Sequence, residues 1–436
     1  MAESKKDKNT VVCDQCGEEI SQDDDRVVFA LSKGFHLCSD CAQELVVNYR
    51  DAVKRHKTAN SIKKNNKLTP SSILVFIKRY VIGQDAAAKI LALAVYNHYK
   101  KLRYLQQHKD QKDAVELQKS NIMLLGISGS GKSHLVKTIA RFLNVPYTIE
   151  SATNFSSTGF VGKDVDQIIQ SLVLNAEGKD ITEKVQRAEM GIVYIDEFDK
   201  LSRKGESPSI SKDVGGEAVQ QALLTLIEGS NVDVSVTRGQ RITPTTQTVK
   251  VNTENILFIC GGSFEGIERI ILKRLHEGKS SMGFGAPLKA TDKNKTDVLL
   301  SVTQEDIKQF GIIPEILGRL PILCPLRDLT VSDLVDILTK PKNALVLQYK
   351  ELFKMDGSTL EITEEALKKI ATLALQKGTG ARALRTVLEE TLAPVMFDLP
   401  ENPAAVKVAL AAVSDNPDED KLTIIKEPLE GACGAP

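Results

Sequence analysis

No tryptophan occurs in this chain, and aromatic residues make up only 5% of its 436 residues. Stacking platforms for single-stranded nucleic acid are therefore scarce. Net charge is absent too. The 57 basic and 57 acidic side chains cancel, so no whole-molecule field draws the chain to nucleic acid or to an anionic membrane. No run approaches the roughly 18 apolar residues of a membrane-spanning helix. The polar start MAESKKDKNT lacks the apolar stretch of a secretory signal. These absences predict a cytoplasmic chain with reduced thiols and neither membrane nor nucleic-acid partner. Seven cysteines in that compartment point to metal ligands or core packing and away from a disulfide framework.

What is present reads as an ordinary globular composition, 42% apolar and 26% charged. The length suits about two to four domains. Residues 1–48 form a cysteine-rich module, and 49–67 a polar, basic linker. Residues 68–325 read as a large α/β domain, 326–414 as a smaller helical one, and 415–436 as a loosely ordered tail. Within the large domain, apolar runs bounded by turn signals sit at 121–126, 145–150, 191–196 and 255–260. Between them, Leu135, Val136, Ile139, Ala140 and Leu143 recur at helical spacing, as do Val219, Leu223 and Ile227. Buried strands alternating with helices predict a parallel sheet covered on both faces. Thr363, followed by Glu364 and Glu365, predicts a helix start, and Gly378 its stop.

Gly126-Ile127-Ser128-Gly129-Ser130-Gly131-Lys132-Ser133 follows a strand and opens a helix. That is the context in which a G-x-x-x-x-G-K-S loop cradles phosphates with backbone N–H groups. Lys132 is placed to neutralise β- and γ-phosphate oxygens, and Ser133 to ligate Mg²⁺; His134 is counted with the loop. The run GIVYIDE then delivers Asp196 and Glu197 to a strand's carboxyl end, where open α/β sheets bind ligands. Asp196 suits Mg²⁺, and Glu197 suits the base that activates the attacking water. Alone, such an acidic pair is ordinary solvated surface; with the loop, it implies ATP hydrolysis.

Cys13-x-x-Cys16 and Cys38-x-x-Cys41 are two knuckles with residues 17–37 between them. Four thiolates so spaced suit a closed, structural Zn²⁺ site. His36 is surplus to it.

The order of these motifs resembles the ClpX family of AAA+ unfoldases, which feed the ClpP peptidase. The resemblance spans nearly the whole chain, including YVIGQDAAAK (80–89), GFVGKDVDQIIQ (159–170), IVYIDEFDK (192–200), ILFICGGSF (256–264), IPEILGRLP (313–321) and GTGARALR (378–385). It implies that Val81, Ile82 and Gly83 pack by the adenine. It implies that Arg319 is a finger reaching a neighbouring subunit's γ-phosphate, and that Arg382 senses nucleotide for the small domain. A finger acting in trans requires a ring, and the resemblance implies that the ring is a homo-hexamer. Phe160 and Val161 match a pore loop gripping unfolded or tagged protein substrates, and Lys212 falls in a second pore loop. The zinc module is expected to receive adaptor proteins.

Three departures stand out. The family's basic pore-entrance loop falls at 237–248, where only Arg238 and Arg241 are basic. Its Ile-Gly-Phe tripeptide, which docks ClpP, is Met282-Gly283-Phe284 here. The gap between the cysteine knuckles is longer by a few residues. Two rival readings are a nucleic-acid motor and a non-catalytic scaffold or holdase; neutral charge opposes the first, and intact Glu197, Arg319 and Arg382 the second.

Overall fold

The computed structural model describes residues 10–21, 28–31, 35–43, 68–108, 115–155, 164–202, 214–238, 245–277, 298–400, 406–412 and 422–428. Phe160, Val161, Lys212, Arg241, Cys433 and the tripeptide Met282–Phe284 lie outside them. The chain divides into two compact units, Met1–Leu68 and Thr69–Pro436.

The first unit is built from two hairpins. Strands β1 (Thr10–Val12) and β2 (Glu19–Ser21) pair antiparallel, as do β3 (Val28–Leu31) and β4 (Phe35–Cys38). Each hairpin brings one Cys-x-x-Cys knuckle to the same place. Among the described residues, the apolar cluster here is small: Cys13, Ile20 and Cys38, with Val28 and Cys41 packed against it.

The second unit carries a five-stranded parallel sheet. Its strands are β5 (Ile122–Leu125), β6 (Tyr147–Ser151), β7 (Ile192–Asp196), β10 (Leu257–Gly262) and β11 (Ile322–Pro325), in the order β11-β5-β10-β7-β6. An antiparallel hairpin, β8 (Asn231–Arg238) and β9 (Thr245–Asn252), precedes β10. All four residues of β5 and all six of β10 are buried, as strands covered on both faces must be. Four of the five strands coincide with the apolar runs of the sequence. The fifth, β11, was not expected; it is a short run ended by Pro325 and buried through Cys324.

After β11 the chain crosses at 326–330 into a second core. Helices Val331–Thr339, Leu345–Met355, Glu364–Gln376 and Arg382–Asp398 pack around Leu334, Phe353, Ile370, Leu384 and Leu388. Thr330 and Thr363 cap two of them through their hydroxyls, each cap contributing about 1 kcal/mol. The lobe is mainly helical, as expected, and also carries a sheet of β12 (Thr359–Ile362), β13 (Val406–Ala412) and β14 (Leu422–Pro428). One correction applies: β14 belongs to the stretch expected to be a loose tail. The acidic run before it made the whole segment look unable to fold, yet Leu422, Ile424 and Ile425 pair in register with Ala412, Leu410 and Ala409.

Candidate nucleotide site and cysteine cluster

The turn after β5 opens the helix Lys132–Leu143, with Gly131 in the left-handed region at its N-cap. The helix N-terminus therefore opens directly from the loop, which favours an anion there. The fit to phosphate shows in the loop itself. Ser130 Oγ is buried with no partner. Gly129, at φ +77°, leaves room for another segment: a Cβ there would stand 2.1 Å from the Thr379 carbonyl oxygen. The small lobe thus packs directly on the phosphate loop, and Ala381 N–H donates to the Gly129 carbonyl at 3.4 Å.

Lys132 is 8% exposed, and its ammonium donates to the carbonyls of Gly126 and Ile127 at 2.5 and 3.0 Å. Burial pushes its pKa below the ordinary lysine value, and Asp196 and Asp199 counter that. A buried cation hydrogen-bonded to loop carbonyls is suited to exchange them for phosphate oxygens. Ser133 Oγ donates to Asp196 Oδ2 at 2.9 Å, and Tyr194 donates to Asp196 Oδ1 at 3.0 Å. Ser133 and Asp196 are thereby brought together, as a hydroxyl and a carboxylate sharing Mg²⁺ must be.

Glu197 is exposed and sits at φ +56°, a left-handed conformation that costs a non-glycine residue about 1 kcal/mol or more. Its carboxylate accepts from Ser151 Oγ at 2.6 Å and from Thr153 Oγ1 at 3.2 Å. Both hydroxyls follow from β6 lying beside β7, with Ser151 paired to Asp196. Sequence reasoning missed them, because two small polar residues at a strand end carry no signal until the strand order is known.

Arg382 opens the helix Arg382–Asp398, and its Nη1 reaches Ser128 Oγ at 3.4 Å. A cation in the first turn is disfavoured by the helix dipole, so an anion at the adjacent loop would relieve the conflict. Val81, Ile82 and Gly83 are half-buried on the turn between helices Pro70–Lys78 and Asp85–Gln107. His134 is exposed, with its ring Nε2 3.3 Å from the Tyr80 carbonyl; it faces that turn.

Arg319 is placed differently. It ends the helix Pro314–Arg319, and its Nε and Nη2 each lie 3.0 Å from Glu228 Oε1. Buried Asn121 fixes its backbone, donating from Nδ2 to the Arg319 carbonyl at 3.0 Å and accepting from Phe258 N–H at 3.1 Å. Asn121 precedes β5, whereas the phosphate loop follows it. A four-residue strand spans about 13 Å at roughly 3.3 Å per residue. Arg319 therefore lies by the amino end of β5, opposite the carboxyl end that carries its own phosphate loop.

In the other unit, the Sγ atoms of Cys13, Cys16, Cys38 and Cys41 all lie within 4.8 Å of one another. Sulfurs bound to one tetrahedral Zn²⁺ stand about 3.8 Å apart, and Cys16 and Cys38 are 4.0 Å apart here. The N–H of Cys38 donates to Cys13 Sγ, and that of Cys41 to Cys38 Sγ, both at 3.4 Å. Backbone donors at Cys16 and Cys38 lower the Cys13 thiol to about 6, while the neighbouring Cys38 sulfur and burial push Cys41 up. Clustered thiols opposing one another's ionisation are what a divalent cation relieves. The donor set fits zinc, which would hold the two hairpins together.

A parallel sheet in the order β11-β5-β10-β7-β6, with a phosphate loop after its second strand and a mostly helical lobe seated on that loop, is an AAA+ ATPase. Residues 117–323 match the AAA domain (Cdc48 subfamily), and residues 329–406 the C-terminal, D2-small domain, of ClpB protein. The ATP-dependent Clp protease ATP-binding subunit ClpX of Treponema denticola is 40% identical over 392 residues, 89% of this chain and 90% of the relative. The protein of the same name from Bacteroides fragilis is 42% identical over 404 residues, 92% of this chain and 93% of the relative. The chain belongs to the ClpX family.

Proposed function

We propose that this chain is the ATP-binding subunit of a two-component protease, unfolding protein substrates and threading them through a hexameric pore into a ClpP-type peptidase. The observation that carries this reading is the match to ClpX relatives along about nine-tenths of the chain, through both lobes of the ATPase. The name that these relatives share supplies the ATP-binding role and the protease partner.

Assembly into a ring is supported by the position of Arg319. A guanidinium at the end of the strands opposite its own phosphate loop serves a phosphate only from a second copy, and closed rings arise from such head-to-tail contacts. Within one subunit, Lys132 and Arg382 would bind phosphate charge, Ser133 and Asp196 would hold Mg²⁺, and Glu197 would take the proton of the attacking water. The small lobe, seated on the phosphate loop through Gly129 and Ala381, would turn loss of the γ-phosphate into movement. Phe160 and Val161, with Lys212, would carry that movement to substrate, and Met282-Gly283-Phe284 would hold the peptidase. Among the described residues no helix is long and apolar enough to cross a membrane.

The deciding experiment is degradation of a tagged, folded reporter with ATP and a ClpP peptidase. Loss of fluorescence of the reporter that needs both ATP and this chain, and becomes degradation only when peptidase is added, is the expected result. ATP turnover without any unfolding would reject the unfoldase role.

A further inference from the structure

One buried side chain ties the phosphate loop to the small lobe, and nothing in the reading above uses it. Gln84 is 4% exposed and follows the Ile82–Gly83 pair. Its amide makes three bonds, all to backbone. Nε2 donates to the Arg327 carbonyl at 2.8 Å and to the Ser130 carbonyl at 3.2 Å, and Oε1 accepts from Arg327 N–H at 3.1 Å. Such a two-way pairing fixes both the position and the orientation of residue 327.

Arg327 lies in the crossing between β11 and the small lobe. Its guanidinium makes two parallel bonds to Asp333, both 2.7 Å, the fork geometry that gives direction as well as attraction. Asp333 in turn forms the capping box of helix Val331–Thr339 with Thr330. Burial alone would raise the Asp333 carboxyl, but the bonds from Arg327 and Thr330 outweigh it and hold the group at about 2. The turn bearing Gln84 is packed on this pair: a Cβ at Gly83 would stand 3.0 Å from Asp333 Oδ1 and 3.1 Å from Arg327 Nη2.

The chain of contacts is therefore unbroken. It runs from Ser130, in the middle of the phosphate loop, through one amide to the crossing segment and then to the first helix of the small lobe. Ser130 is also the loop residue whose buried hydroxyl has no partner, so phosphate arriving at the loop changes the bonding of the residue that Gln84 holds.

We propose that Gln84 is a positioning residue that couples the phosphate loop to the small lobe, passing a change at Ser130 through Arg327 and Asp333 to helix Val331–Thr339. The proposal rests on the nucleotide-site reading. A side chain that only fills space would affect stability alone. A coupling side chain alters what the small lobe does when nucleotide binds.

The test uses the full chain with Mg²⁺ and ADP, reading hydrogen exchange separately at 126–133 and 327–339. In the wild type, nucleotide should raise protection in both segments. Gln84→Leu, similar in size but without the amide, should keep the rise at 126–133 and lose it at 327–339. Its ATP turnover at saturation should fall about tenfold, with KM changed by less than about threefold. Gln84→Glu keeps the acceptor for Arg327 N–H but loses both donor bonds; it should show the same uncoupling, and it carries the comparison if Gln84→Leu does not fold. Protection of both segments in the variants as in the wild type would overturn the proposal, and so would a lowered Tm with that coupled protection intact. Absence of any protection at 126–133 in the wild type would instead overturn the nucleotide-site reading, and the coupling role with it.

Discussion

The cysteine cluster and the phosphate loop stand in opposite relations to their cores. Around the cysteines, the buried apolar residues among those described are Ile20 and Leu37 with Cys13 and Cys38 themselves. Beneath the phosphate loop lies a cluster running from Met123 through Val193 and Phe258 to Leu320. One site must make its fold, because so small a core cannot offset the chain entropy of ordering it. The other is made by its fold, which holds Lys132, Asp196 and Glu197 in place before any ligand arrives. The same contrast separates what the two ligands would contribute: a metal held by the four thiols would be a staple, a nucleotide at the phosphate loop a signal.

Removing zinc should break the comparison most visibly. Structural zinc contributes on the order of 10 kcal/mol or more to small modules, so chelation, or Cys13→Ser, should unfold residues 10–43 outright. Nucleotide affinity of the second unit should not change. Hydrogen exchange and a nucleotide-binding titration on the same sample check both halves, and persistent protection of 10–43 without metal would remove the distinction.

Next in size is Arg319→Ala. A finger supplied by a neighbour contributes about 10³–10⁵ in turnover, so the rate should collapse while nucleotide binding persists. Glu228→Gln breaks an exposed ion pair, which contributes only about 0–1 kcal/mol. Its turnover should stay within about threefold of the wild type. Equal losses in the two variants would show that Arg319 acts within its own subunit as a structural partner of Glu228.

Smallest is Ser151→Ala. Removing one of the two hydroxyls that hold Glu197 leaves Thr153 in place, and one lost hydrogen bond amounts to about 1 kcal/mol. Turnover should change by about fivefold or less. Steady-state ATPase measurements decide this, and a loss as large as that from altering Glu197 itself would make Ser151 part of the chemistry.

The residues that sequence alone made legible are those whose meaning is local. Phosphate loops and cysteine knuckles are continuous strings, and four strands of the sheet are apolar runs that only a buried strand explains. What escaped depends on neighbours distant along the chain. Strand β11 is only four residues long and is recognisable by its place beside β5. Asn121, Ser151 and Glu228 are unremarkable polar residues until the sheet order brings each to a functional group. Gln84 had a faint signal, standing directly after the Ile-Gly pair that the family resemblance had already placed. Strand β14 was hidden by composition: its acidic, proline-containing approach outweighed the apolar LTII that pairs with β13.

The most direct measurement is ATP hydrolysis by Glu197→Gln, set beside its nucleotide affinity. The substitution keeps the side chain's size and removes the base, from a residue that Ser151 and Thr153 hold at the end of β7. Mg·ATP should bind as it does to the wild type, while turnover falls by about 10²–10⁴-fold, the usual cost of a lost general base. Hydrolysis at the wild-type rate would contradict this, and would place the base elsewhere than at the strand-end pair on which the whole site is built.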